Sequence, residues 1–351
     1  MPTVKISGRC IGDNQPVFIV AEISANHNQK IDAARDLIKA AADAGANAVK
    51  FQTYTPDSLT INSDQSWFKI KNGLWAGKTL YDLYNDAFMP WTWHAELFNL
   101  AENLGLIAFS TPFSNDAVHY LEMMHTPAYK IASFEIVDPE LLKSVAFRKK
   151  PVILSTGMAS WPEIRNALKV LKDNGANEIC LLKCTSSYPA PLNEMNLATI
   201  PHMQQTFDVV VGISDHTLGS IAAVTAIALG AKIVEKHITL DRSGPGPDSK
   251  FSTNPDEFSA MVQAIRQTES ALGEISYDPT PSEEDNFIFR RSLFVVEDMK
   301  AGDAFTSENV KSIRPGYGLP PRALDIILGK KANADIPRGT PLHHNLVAYN
   351  E

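Results

Sequence analysis

Cysteine is scarce in this sequence: three residues, Cys10, Cys180 and Cys184, in a chain of 351. An odd, scattered set cannot form a disulfide framework, so a reducing, cytoplasmic home is expected. Cys180 and Cys184 could be half of a metal site. No second pair follows them, however, and small buried cysteines are common in apolar runs. Basic charge is also in deficit. Lys and Arg number 32 against 40 Asp and Glu, a net charge of −8, and a nucleic-acid footprint needs the opposite sign. No apolar run reaches the roughly 18 residues that span a bilayer. The opening Met1-Pro2-Thr3-Val4-Lys5 has no signal-peptide core. Neither nucleic acid nor membrane is expected as a partner. Repeats and low-complexity tracts are missing too. What remains is an ordinary globular composition, 44% hydrophobic and 21% charged, sufficient for a sizeable core shared by two domains.

Short Val/Ile/Leu-rich runs recur at 17–21, 48–51, 106–109, 128–131, 152–154, 179–182, 209–212 and 232–234. They do not alternate with polar residues, which suits parallel strands buried on both faces. Helical periodicity fills the spaces between them. It is clearest over 31–44, over 161–172 with Pro162 near its start and Gly175 beyond its end, and over 255–272 behind the cap residue Asn254. Eight strand–helix units in about 250 residues predict a (β/α)8 TIM barrel. The rival, a doubly wound open sheet, wants a Gly-rich turn after its first strand; here that turn reads EISANH (22–27). Residues 53–90 form a long insertion with Trp67, Phe68, Trp75, Tyr81 and Tyr84, either a lid over a site or an extra packed element. After Gly273 the pattern changes to DPTPSEED (278–285), a linker composition. The expected division is a barrel over 1–278, a linker over 279–287 and a small, mostly β domain over 288–351.

Polar residues at the C-terminal ends of barrel strands converge on one mouth. Every strand here ends that way: Glu22; Lys50 and Gln52; Ser110 and Thr111; Lys130, Ser133 and Glu135; Ser155 and Thr156; Lys183, Thr185 and Ser186; Ser214, Asp215 and His216; Glu235, Lys236 and His237. Lys50, Lys130, Ser155 and Ser214 supply cationic and donor groups suited to a phosphate or carboxylate. His216 and His237 end neighbouring strands, about 4.8 Å apart, where two imidazoles can share one divalent ion. Glu22 adjoins them if the barrel closes. Six other histidines, His94, His119, His125, His202, His343 and His344, read as structural. Two other readings fit parts of the pattern: a Schiff-base aldolase using Lys130 or Lys183, and a carbohydrate-binding protein on the same barrel.

The segments AEISANH (21–27), KFQTY (50–54), STPF (110–113), YKIASFE (129–135), STGM (155–158), GISDH (212–216) and EKH (235–237) together resemble the sialic acid synthase family. Its members condense phosphoenolpyruvate with an amino sugar. RSL (291–293) and RPGYG (314–318) resemble that family's antifreeze-like (SAF) domain. TPDSLT (55–60), GLW (73–75), LYDLY (80–84) and CTSSYP (184–189) resemble the branch that takes a 2,4-diacetamido-2,4,6-trideoxy altrose. Members that take N-acetylmannosamine carry Asn at the position of Ser186, and they and the legionaminate-forming members are the alternatives.

The resemblance implies a set of roles. Lys50, Lys130, Ser133, Ser155, Ser186 and Ser214 bind phosphoenolpyruvate. Gln52, Thr111, Phe113, Tyr188, Asp248 and Arg314 contact the sugar. His216 and His237 are catalytic as ligands of a divalent metal, Mn²⁺ before Mg²⁺ or Co²⁺. Glu22 and Glu135 are the acid/base pair. The implied assembly is a domain-swapped homodimer in which Arg314 serves the barrel of the second subunit.

Overall fold

The computed structural model describes residues 2–349. The chain divides into two compact units, Met1–Gly273 and Glu274–Glu351. In the first, eight parallel strands close into a barrel: β1 (Phe18–Glu22), β2 (Ala48–Thr53), β3 (Ile107–Pro112), β4 (Tyr129–Ile131), β5 (Val152–Ser155), β6 (Ile179–Cys184), β7 (Val210–Asp215) and β8 (Ile233–His237). Closure pairs β8 with β1 and sets His237 beside Glu22. The open-sheet alternative is thereby excluded.

Helices cover the barrel in the expected order: α1 (Ile31–Asp43), α2 (Leu80–Ala87) and α3 (His94–Asn103) after β1 and β2, then α4 (Asn115–Met123), α5 (Pro139–Ala146), α6 (Trp161–Asp173), α7 (Thr199–Phe207), α8 (Ile221–Ala228) and α9 (Pro255–Leu272). Local sequence sets their starts. Ser160 and Glu163 make a capping box at α6, with Pro162 inside the first turn. Asn254 accepts from the Glu257 amide at α9. The helix α2, inside the insertion, is capped by Thr79, whose hydroxyl accepts from the Asp82 amide at 3.0 Å.

Strand parity explains the uniform apolar runs and locates the site. Ile19, Ala21, Val49, Phe51, Ile131, Leu154 and Leu181 pack outward in one core with the helices. Phe18, Val20, Ala48, Phe109, Ala128, Ile153, Cys180, Leu182, Val210 and Ile233 fill the lower interior as a second cluster. An N-terminal hairpin, Val4–Ile6 paired with Arg9–Ile11, adds Val4, Ile6 and Ile11 to that cluster and plugs the barrel at its N-terminal end. The sequence reading did not anticipate this hairpin. Gly212 has inward parity in this crowded interior; a Cβ there would lie 2.5 Å from the Ile233 carbonyl oxygen and 2.8 Å from Leu182 Cδ2.

The second unit has its own apolar core, with Leu293, Val295, Met299, Phe305, Val310, Ile327, Ile336, Leu342 and Val347. Ser292–Val295 pairs with Val310–Ile313, and Lys331–Ala332 with Val347–Ala348, both antiparallel. Where the composition predicts a linker over 279–287, the chain forms an exposed 3-10 run, Pro281–Phe289, entered by a Thr280–Glu283 capping box. Among the described residues no helix is long and apolar enough to cross a membrane.

Candidate active site

Continuing each strand's inward parity past the apolar interior gives a charged layer. Val20 leads to Glu22, Ala48 to Lys50 and Gln52, Phe109 to Thr111, Ala128 to Lys130, Ile153 to Ser155, Leu182 to Cys184, and Ile233 to Glu235 and His237. Above this layer is a cavity of about 510 Å³.

Its floor is a closed ionic network. Lys50 is ion-paired with Glu22, and its Nζ lies 3.7 Å from Glu235 Oε1. Lys130 Nζ lies 3.6 Å from the same oxygen and donates to Ser155 Oγ at 2.7 Å. Lys50 also donates to Thr111 Oγ1 at 3.2 Å, and Ser214 to Glu235 at 3.3 Å. Burial disfavours every charge here. It lowers the pKa of Lys130 and raises that of Glu22 despite their partners. At Lys50 the Glu22 and Glu235 carboxylates outweigh burial and raise the pKa; at Glu235 the two lysines outweigh it and lower the pKa. Two lysines thus balance two glutamates. An entering phosphate or carboxylate meets both ammonium groups together with the hydroxyls of Ser133, Ser155 and Ser214 on the cavity wall.

Beside the floor stand His216 and His237, ring centroids 5.4 Å apart. His216 Nδ1 lies 3.0 Å from the Thr185 carbonyl. A carbonyl only accepts, so Nδ1 carries the proton and Nε2 presents its lone pair. His237 Nδ1 is buried with no hydrogen-bond partner, and burial, reinforced by His216, keeps that ring neutral. Burial alone would lower the pKa of His216, but Cys184, the Thr185 carbonyl and Glu235 outweigh it and raise the pKa. Two imidazoles this close fit a shared divalent ion, which competes with the proton for His216. Among the described residues no three His, Cys, Asp or Glu side chains converge as a metal cluster, so the other ligand positions would fall to water or substrate. Phe251 packs against both rings, at 6.2 and 4.9 Å, and Tyr188 lies 4.5 Å from His216.

Glu135 follows β4 in a 3-10 turn, Ser133–Val137. Its Oε2 is buried without a hydrogen-bond partner, and burial pushes its carboxyl up to about 7. Asp248 Oδ2 lies 3.9 Å from His237 Nδ1; it accepts from Ser24, and burial raises its pKa.

The cavity wall brings together Lys50, Gln52, Phe113, Lys130, Ser133, Glu135, Ser155, Tyr188, Ser214, His216, His237 and Asp248. Four expected residues lie elsewhere. Glu22 is fully buried beneath the wall and meets the cavity through Gln52, which donates to it at 3.2 Å. Thr111 is likewise buried and holds Lys50 rather than facing the sugar. Ser186 sits behind Gly157, where a Cβ would run into the hydroxyls of Ser133 and Ser186. Arg314 belongs to the second unit, exposed after Val310–Ile313.

Sequence reasoning set Glu235 at the mouth without giving it a role, and it missed Cys184, Tyr54 and Phe251, which also line the cavity. Strand parity was the available signal for Glu235 and Cys184. Against burial, the neighbouring His216 brings the Cys184 thiol down to about 7. The aromatic insertion divides. Trp75 lines the cavity, donating to the Pro247 carbonyl at 2.9 Å, whereas Trp67 is 84% exposed. Lys183 has the opposite parity; it donates to the Cys184 carbonyl at 3.0 Å and is no part of the wall.

The NeuB family model matches residues 37–277, and the SAF domain model matches 290–348. The chain is 47% identical over 329 residues to the pseudaminic acid synthase of Campylobacter jejuni subsp. jejuni serotype O:2, covering 94% of this chain and 96% of that protein. It is 44% identical to the pseudaminic acid synthase of Helicobacter pylori, covering 93% and 97%. The solved N-acetylneuraminic acid (sialic acid) synthetase of Leptospira borgpetersenii serovar Hardjo-bovis superposes with a TM-score of 0.73 at 31% identity, covering 81% of this chain and 94% of that one. With the family model spanning the barrel and relatives matching nearly end to end, the chain belongs to the NeuB family and carries a SAF domain after its barrel.

Proposed function

We propose that this chain is a pseudaminic acid synthase. It condenses phosphoenolpyruvate with the open-chain aldehyde of 2,4-diacetamido-2,4,6-trideoxy-β-L-altropyranose and with water, giving pseudaminic acid and phosphate. The observation that carries this reading is a two-lysine anion floor set directly beside a pair of imidazoles. It occurs in a chain nearly half identical to proteins bearing that name.

Lys50 and Lys130 take the phosphate and carboxylate of phosphoenolpyruvate, assisted by Ser133, Ser155 and Ser214. The family is metal-dependent; here His216 and His237 would hold the ion, Mn²⁺ by preference. Bound there, it supplies Lewis-acid polarisation of the sugar aldehyde. The methylene carbon of phosphoenolpyruvate attacks the aldehyde carbon, forming the C–C bond. Glu135, whose carboxyl burial pushes up to about 7, is poised near neutral pH to give its proton to the oxygen that becomes a hydroxyl. Water adds at the former enol carbon, and the bond from that carbon to the phosphate oxygen breaks. The proton of that water leaves with the departing phosphate, while Glu22, ion-paired with Lys50 and accepting from Gln52 at 3.2 Å, holds both side chains in place beneath the site. Gln52, Phe113, Tyr188 and Asp248 position the sugar, and Ser186 supports the phosphoenolpyruvate loop from behind Gly157.

The proposed assembly is a homodimer with exchanged SAF domains, in which Arg314 of one subunit serves the other's sugar. Exposed apolar residues on the loops that follow β4 to β8 (Phe134, Val137, Met158, Leu192, Leu218 and Leu240) support a covered mouth. The unpaired cysteines fit a cytoplasmic home. The test is an isotope experiment with phosphoenolpyruvate labelled by ¹⁸O at the bridging position. The label is expected in the released phosphate, with pseudaminic acid as the co-product. Label retained in the sugar acid would overturn the mechanism.

A further inference from the structure

The cavity has two chemically different halves. Its floor is charged and comes from barrel strands. Another part of its wall comes from the segment between β2 and β3, where Leu59, Ile70, Leu80, Leu83 and Ala87 face the cavity together with Asn72, Trp75 and Tyr84. None of the aspartates or lysines of residues 55–87 lines it. On α2 the cavity-lining positions are 80, 83, 84 and 87, one face of a helix. An amphipathic helix ordinarily sets that face into a core, yet Leu80, Leu83 and Ala87 belong to none of the hydrophobic clusters of the described residues. Leu59 and Ile70 are likewise outside them. The apolar face of α2 is therefore turned to the substrate space, continuous with the lysine and imidazole floor.

We propose that this wall determines sugar specificity: it takes the C6 methyl and acetamido methyl groups and disfavours a hydroxyl at C6. The assignment rests on the synthase reading above. Apolar contact admits the 6-deoxy sugar without leaving a polar group unpaired. A C6 hydroxyl placed against Leu80 and Ile70 loses its water, and neither of those side chains offers it a hydrogen bond. Rejection of an added hydroxyl by an apolar pocket is moderate, on the order of 10²-fold at most.

The test compares kcat/KM for the trideoxy sugar with that for its 6-hydroxy counterpart, 2,4-diacetamido-2,4-dideoxyaltrose. The full chain is used as wild type, Leu80→Asn and Ile70→Asn. Wild type is expected to prefer the 6-deoxy sugar by about 10- to 100-fold. Each variant is expected to cut that preference about fivefold or more with KM for phosphoenolpyruvate unchanged, because the floor is not part of the wall. Should the asparagine variants fail to fold, Leu80→Ala, which only opens space for the hydroxymethyl group, is expected to narrow the preference in the same sense. Turnover of the trideoxy sugar with a preference that no variant moves would overturn the wall assignment alone. Turnover of N-acetylmannosamine and not the trideoxy sugar would overturn the synthase reading and the wall together.

Discussion

Glu135 keeps its proton up to about pH 7 because burial without a hydrogen-bond partner disfavours the carboxylate. As an acid with a pKa of about 7, it is active below that pH, and the rate should fall as pH rises through it. Glu135→Gln is expected to lower kcat by about 10²- to 10⁴-fold and to abolish this alkaline limb. Steady-state rates between pH 6 and 9 check it; a variant that keeps the wild-type profile would remove Glu135 from the proton transfer. At this scale the sequence was legible in part. Residue type and strand-end position named Lys50, Lys130, His216 and His237. They did not separate Thr111, which holds Lys50 from beneath, from residues that face the cavity. They also gave no role to Glu235, whose neighbours Lys236 and His237 differ from it only in parity or height. Lys236 pairs with Asp215 at 2.7 Å away from the charged layer, a distinction that needs the register of β7 and β8.

Strands and helices were more legible than loops. Short runs of Val, Ile and Leu survive as barrel strands because both of their faces are buried, and α6 and α9 begin at the caps their sequences carry. The N-terminal hairpin escaped because each strand has three residues, too few for a period to register. Its function is to complete the floor of the interior: Ile6 is fully buried there. Ile6→Ala is expected to destabilise the protein by about 2–5 kcal/mol, read from urea unfolding, with KM for phosphoenolpyruvate unchanged. A loss well under 1 kcal/mol would mean that the hairpin does not plug the barrel. The acidic, proline-rich stretch read as a linker instead folds as a 3-10 run. Thr280, Pro281 and Glu283 together are a helix-start signal that composition alone conceals.

On the scale of the whole molecule, one cavity joins a charged floor, a pair of imidazoles and an apolar wall, and the SAF domain folds around its own core. Family and reaction class were legible because the mouth residues fall in conspicuous short motifs. The substrate's outer groups were less so, since α2 is recognisable as facing the cavity only once its apolar side is seen to join no core. The central claim is a metal-dependent condensation specific for the trideoxy sugar. It is tested most directly by phosphate release from phosphoenolpyruvate, with Mn²⁺ or with a chelator, offering 2,4-diacetamido-2,4,6-trideoxyaltrose and N-acetylmannosamine in parallel. Release is expected with the trideoxy sugar, lost on chelation and restored by Mn²⁺, and little with N-acetylmannosamine. Release with N-acetylmannosamine alone, or release unaffected by the chelator, would contradict that claim.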